Sequence, residues 1–375
     1  MWQDQRPRLI RLSHMTTSES VLARMPKTEL HLHLEGTVRP ETLWDLADRA
    51  GVPLPAETPQ ALRAKYVFDS FTQFLELWLA MHSSFVDATA YERMVDDYIA
   101  DARRQNVRYA EVHFTPYNHE RLGKFGARPA LEVVTERLQR AESAGGPAVR
   151  LIFDIVSALL PASGEYTASL VEQLANPILV AVGLGGPEVD YPRTSAAPYF
   201  ERVRRAGYPV VAHAGETGPA EHVRQAVVDL KARRVQHGVH AVDDAAVLRL
   251  LAEHGIACDV ALTSNLLLTE FRDLKSHPIR QLLQAGVPVT LSTDDPAFFN
   301  TDLTREYELA RDEVGLSMEQ LWDINLNGLR FGLAELPLRR RLLQQFLAEG
   351  AELGLTTVPD SPSAAGQPRT SEGAP

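Results

Sequence analysis

Four short stretches concentrate the residue types that can do hydrolytic chemistry: His31-Leu32-His33, His213-Ala214-Gly215-Glu216, His237 followed by Gly238, and Asp294-Asp295. On a β-strand, residues i and i+2 point to the same face, so His31 and His33 can reach one ion. A lone histidine ending a strand is most often structural, and an H-x-H pair alone is a weak signal. Histidines recurring at several strand ends, in this order, and followed by a carboxylate pair form a pattern that points to metal. His31, His33, His213 and Asp294 make a set of three imidazoles and one carboxylate. Such a set suits Zn²⁺, one ion per subunit, with a position left for water; Fe²⁺, Co²⁺ or Mn²⁺ take similar ligands. Zinc lowers the pKa of a coordinated water to about 7, which makes hydroxide available at neutral pH.

The elements that must position these groups are short apolar runs alternating with helical patterns. The runs are 29–34, 107–114, 149–156, 178–182, 209–212, 234–237, 256–260 and 288–291, eight in all. Helical segments at 40–50, 70–105, 131–143, 168–175, 197–206, 219–230, 243–254 and 278–285 separate most of them. Strands alternating with helices imply βαβ units and a parallel sheet. Eight of them predict an α/β fold of the (β/α)₈ TIM-barrel type, with the active site at the C-terminal ends of the strands. A doubly wound open sheet is the alternative, but no G-x-G-x-x-G turn follows the first strand.

The chain has 375 residues, 45% of them hydrophobic and 23% charged, which suits a globular protein with one large core. A flexible N-terminal extension over 1–20, a single barrel domain over 21–357 and a disordered Ser/Pro/Gly/Ala/Thr-rich tail over 358–375 are expected. Met15 offers an alternative start. The formal charge of −11 argues against a nucleic-acid partner. The single cysteine, Cys258, excludes an intrachain disulfide and a thiolate zinc cluster, and reads as a core residue. No apolar run of about 18 residues and no apolar leader is visible, so neither a membrane partner nor export is expected, and a cytoplasmic location follows.

The segments P-K-T-E-L-H-L-H-L-E-G-T, H-A-G-E, Q-H-G and S-T-D-D-P resemble the signatures of the adenosine deaminase family of the amidohydrolase superfamily. The resemblance runs from about Met25 to Phe346. It implies a purine substrate and water as partners, and deamination at C6 of an adenine ring. By the resemblance, Glu216 hydrogen-bonds ring N1 and shuttles a proton; attack at C6 puts negative charge on N1, which a protonated carboxyl can neutralise. His237 orients the attacking hydroxide, Asp295 bonds N7, and Gly186, in V-A-V-G-L-G-G-P-E, offers its N–H to N3. Phe71, Phe74, Leu75 and Trp78 resemble the family's hydrophobic lid, although an apolar stripe at that spacing is usually core.

Three departures bear on the substrate. Glu35 stands where nucleoside-specific members carry an Asp that contacts the ribose 5′-hydroxyl. His113 stands where strand two reads E-V-R. A-L-T-S-N replaces the family's Cys-Pro before Ser-Asn, with Ser264 and Asn265 kept. Glu35 is compatible with a 5′-modified adenosine such as 6-amino-6-deoxyfutalosine, an intermediate of a menaquinone pathway, or with free adenine. The Gly-rich loop favours a nucleoside, with adenosine close behind. AMP is disfavoured because no Lys/Arg cluster lies near the signature segments. A binuclear amidohydrolase is disfavoured because 176–192 contain no Lys to carboxylate. The cytidine deaminase zinc site cannot be built with one Cys. A non-catalytic protein that kept the barrel is disfavoured because the four metal-type residues and the acid are all present.

Overall fold

A computed structural model describes residues 20–66, 71–269 and 271–357. The expected N-terminal extension, up to residue 19, and the expected tail lie outside the described residues. Eight strands follow one another: β1 Lys27–His33, β2 Val107–Phe114, β3 Ala148–Val156, β4 Leu179–Gly185, β5 Ala212–Ala214, β6 Arg234–His237, β7 Ala257–Val260 and β8 Val289–Leu291. Each pairs in parallel with its sequence neighbour, in two sheets, β1–β4 and β5–β8. Single bridges, Val182 with Val210 and Leu32 with Asp294, join the sheets at both edges. The second seam is carried by His33 N to Asp294 O at 2.8 Å and Asp294 N to His31 O at 3.1 Å. The chain is thus the expected (β/α)₈ barrel, and the seam between its ends runs through the candidate metal residues.

The strands are buried almost throughout because helices cover the outer face of the barrel and its interior is filled. One polar layer crosses that interior. Arg234, fully buried at the start of β6, reaches Glu111 of β2 at 2.7 Å and Asp259 of β7 at 2.9 Å. Such a buried trio holds only when nearly every donor is matched, and Arg234 also donates to Phe331 O at 3.1 Å. Below it the helix Met318–Phe331 anchors β1: the Asn325 side chain accepts from Thr28 N at 2.9 Å and donates to Pro26 O at 2.7 Å.

Local chemistry explains where the elements depart from expectation. The helix expected over 70–105 is two, Phe71–Ser84 and Ala88–Arg104. Asp87 caps the second by accepting from Ala90 N at 3.1 Å, while Phe85 turns fully into the core between them. Strand β4 runs on through the glycines to Gly185 because its ladder with β3 continues to Val156, and Gly183 is needed there since a Cβ would lie 2.1 Å from Asp154 Oδ1. Strand β5 starts later than expected, since Val210 and Val211 bind the seam to β4 instead. Among the described residues no helix is long and apolar enough to cross a membrane.

Candidate active site

Strand ends bring His31, His33, His213 and Asp294 to one point. His31 Nε2 lies 3.0 Å from His213 Nε2, and His33 Nε2 lies 3.2 Å from it. Asp294 Oδ1 is 3.2 Å from His31 Nε2 and 3.3 Å from His33 Nε2. Four ligands about 2.0–2.1 Å from a tetrahedral ion sit roughly 3.3 Å apart, so these spacings fit such an ion.

The far side of each ring strengthens the fit. His31 Nδ1 faces Asp259 O at 3.2 Å and His213 Nδ1 faces Leu184 O at 3.0 Å. A carbonyl only accepts, so both Nδ1 atoms carry the proton and both Nε2 atoms present lone pairs. Two lone pairs 3.0 Å apart repel unless a cation lies between them. His33 Nδ1 faces Asp154 Oδ2 at 3.5 Å, and Ser264 Oγ donates to Asp294 Oδ2 at 2.7 Å, leaving Oδ1 for the shared point.

Beside this quartet stand groups of opposite protonation. Burial and the Asp294, Glu188 and Asp295 carboxylates push Glu216 well above the usual carboxyl range. Burial and the adjacent Asp294 push Asp295 up to about 8. Burial and the His31 ring push His237 down to about 3, so its imidazole is neutral. His237 Nε2 lies 3.7 Å from Glu216 Oε2 and 4.0 Å from Asp294 Oδ2. His237 and Asp294 both adopt left-handed backbone, at φ 63° and 64°, a strained conformation that the surrounding packing must hold. Gly36 is required here: a Cβ there would lie 2.0 Å from Asp295 Oδ1.

The remaining expected residues are placed as follows. Gly186 follows β4 with φ 84°, where a side chain is strained. Glu35 is fully buried, and its Oε1 accepts from Thr115 N at 2.7 Å and pairs with His119 Nε2 at 3.2 Å. Trp78 packs its ring 4.9 Å from His82 and 5.8 Å from Phe298. Phe71, Phe74 and Leu75 belong to the helix Phe71–Ser84, but their side chains lie outside what the structure describes. His113 is buried and pairs with Asp154 at 2.9 Å, beside His33.

Several residues at the site were missed in the sequence. Glu188 closes the quoted β4 loop, and its carboxylate accepts from Gly215 N at 2.8 Å, Glu216 N at 2.7 Å and Thr217 N at 3.2 Å. Burial opposes its ionisation, but His222, Arg193 and these N–H groups draw it down to about 2. It therefore sets the backbone from which Glu216 projects. Buried Arg193 ties the same loop to β5, donating to Pro187 O at 2.8 Å and His213 O at 3.3 Å. The acidic residue after G-G-P was the available signal for Glu188; nothing in the sequence pairs Asp154 with His113 or His33.

Comparison with known proteins agrees with this geometry. The model of the family described as "Adenosine deaminase" matches residues 26–348. An aminodeoxyfutalosine deaminase of Streptomyces coelicolor is 34% identical over 326 residues, covering 86% of this chain and 84% of the relative. An adenine deaminase of Cupriavidus taiwanensis is 35% identical over 331 residues, covering 88% and 92%. A solved amidohydrolase from Burkholderia ambifaria, crystallised with bound Zn, superposes with a TM-score of 0.83 at 26% identity, covering 92% of this chain and 96% of that one. Motif order, barrel and family match converge, and the chain belongs to the adenosine deaminase family, hydrolases that act on C–N bonds as deaminases.

Proposed function

We propose that this chain is a zinc-dependent deaminase that replaces the C6 amino group of a 5′-modified adenosine with oxygen and releases ammonia, with 6-amino-6-deoxyfutalosine as its substrate. The observation that carries the reaction is a carboxyl group held protonated, Glu216, 3.7 Å from a neutral imidazole, His237, beside a quartet built for one cation. His31, His33, His213 and Asp294 would hold the ion, which when bound supplies Lewis acidity to the attacking water.

The chain's own residues do the rest. Glu216 donates its proton to ring N1 as water oxygen bonds to C6, which neutralises the charge developing on N1. The Glu216 carboxylate then takes the proton released by the water and passes it to the amino nitrogen. The C6–N bond breaks, ammonia leaves, and the C6 hydroxyl proton returns to Glu216 as the C6 carbonyl forms. His237 orients the water. Asp295, protonated up to about pH 8, donates to N7, and Gly186 offers its N–H to N3. Substrate, protein and water together balance: one water enters and one ammonia leaves.

The 5′ assignment is supported by the aminodeoxyfutalosine deaminase relative and by Glu35. Its Oε1 is held by Thr115 and His119 while its Oε2 has no partner among the described residues, so a longer carboxylate is fixed in place where nucleoside-specific members carry Asp. The same observation favours a second reading, free adenine, which the equally similar adenine deaminase relative supports. A kinetic panel of adenosine, 6-amino-6-deoxyfutalosine, methylthioadenosine and adenine decides, read by ammonia release and the adenine-to-hypoxanthine absorbance change. The highest kcat/KM on 6-amino-6-deoxyfutalosine is expected. A clear preference for adenine or adenosine would overturn the substrate, and no turnover by the zinc-loaded protein would overturn the reaction.

A further inference from the structure

His237 Nε2 is the ring atom that faces the reacting centre; it is buried and accepts or donates no hydrogen bond within the described residues. Its other nitrogen, Nδ1, lies 3.1 Å from Asn265 Nδ2. Asn265 Oδ1 lies 3.2 Å from His277 Nε2, and His277 Nδ1 lies 3.1 Å from the backbone N of Ile279. His237, Asn265 and His277 are 0%, 0% and 2% exposed.

This chain of contacts has one fixed polarity, and it is set at the far end. A backbone N–H can only donate, so His277 Nδ1 must accept. A neutral imidazole has one proton, which must then sit on His277 Nε2 and point at Asn265 Oδ1. That orients the Asn265 amide and aims its NH₂ at His237 Nδ1, which must accept in turn. The His237 proton is left on Nε2, aimed into the site. Turning the amide over would need His277 to accept at both nitrogens, and a neutral ring cannot. Side-chain amide and imidazole assignments are usually free choices; here a main-chain donor removes the choice.

We propose that His277 and Asn265 are positioning residues that hold His237 in its Nε2–H tautomer, so that it donates to the attacking water instead of competing for the water's proton. The inference rests on the deaminase reading of the same site. It assigns a role to Asn265 and to a histidine 40 residues beyond His237 that no signature segment contains. A purely structural polar triad would tolerate reversal of its polarity, whereas a positioning relay would not.

The test is nitrogen-15 NMR on the histidine-labelled full chain, metal-free and zinc-loaded, with the His237 signal assigned by its loss in His237→Gln. In the wild type, the two-bond proton–nitrogen pattern should show a protonated Nε2 and an unprotonated Nδ1. In Asn265→Asp, a carboxylate that only accepts should reverse that pattern, with kcat lowered at least about tenfold, KM within about twofold and zinc content unchanged. His277→Gln keeps an N–H donor toward Asn265 and should retain kcat within about threefold, while His277→Leu should lose it. A protonated Nδ1 in the wild type would overturn the proposal even if no variant folds. A reversed tautomer with unchanged kcat would overturn it too. Absence of turnover by the wild type on every panel substrate would instead sink the deaminase reading, with the spectrum still deciding the polarity of the relay.

Discussion

Around His31, His213 and Asp294, ring nitrogens and carboxylate oxygens that face outward meet fixed partners, and the inward lone pairs converge with no proton between them. Just past the end of the same strand, Glu35, His82, His119 and Tyr91 form a second buried cluster of carboxylate and imidazole. There the contacts of Glu35 Oε1 and of His119 already hold protons, while Glu35 Oε2 and His82 Nε2 have no partner among the described residues. Glu35 Oε1 pairs with His119 Nε2 at 3.2 Å, and the Tyr91 hydroxyl lies 2.9 Å from His119 Nδ1. The His82 ring donates from Nδ1 to Trp78 O at 2.9 Å. Both clusters bring three or more metal-type atoms together, but in the second the Glu35 Oε1, His119 and Tyr91 atoms already pair with one another, whereas in the first two ring lone pairs face each other at 3.0 Å. The lesson is that residue type and proximity do not define a cation site; the direction of each proton does. The first cluster is built to receive a cation; the second is held together by the pairing of Glu35 Oε1 with His119.

Variants can break that contrast. The largest effect is expected from Asp294→Ala. It removes the only anion of the quartet, so metal measured by elemental analysis should fall. Turnover should drop by roughly a thousandfold or more, the several kcal/mol that Lewis-acid stabilisation contributes. Full metal occupancy in this variant would remove Asp294 from the ligand set. Glu216→Gln separates the acid from the metal: zinc content should stay at the wild-type level while kcat falls by about a hundred- to ten-thousandfold. Undiminished activity would exclude Glu216 from proton transfer, however high its pKa.

What was legible in the sequence follows the same division. Metal-type residues at or just past the ends of the short runs announced the mouth of the barrel; β2 and β6 run over the expected residues, Val107–Phe114 and Arg234–His237. The quartet was readable for that reason. The partners that fix proton direction were not. Asp259 O, Leu184 O, Ser264 and Glu188 reach the ligands or the acid from other strands and loops, and backbone carbonyls leave no trace in residue type. Glu35 illustrates the limit most sharply. Its place after H-L-H-L suggested a substrate contact, yet one of its oxygens is committed to Thr115 and His119, a pairing that requires β2 and the following helix Pro116–Leu122 to be in place.

The smallest expected effect sharpens the contrast from the other side. Burial opposes ionisation of Glu35, but the hydrogen bond and charge of His119 and the Thr115 N–H outweigh it and draw its pKa from 4.5 down to about 2. A carboxyl with a folded pKa below its unfolded value stabilises the fold above the unfolded value, and the contribution is lost as pH falls through the folded one. Wild type should therefore exceed Glu35→Gln by on the order of 2 kcal/mol at pH 7 in denaturant unfolding. The gap should hold down to about pH 5 and close as the pH approaches about 2. Zinc content should not change, since Glu35 is paired with Thr115 and His119 and is not one of the four residues of the quartet. A pH-independent gap would mean that Glu35 acts by shape and not by charge. Loss of zinc in Glu35→Gln would mean that the two clusters are coupled through the end of β1, and the division drawn between them would fail.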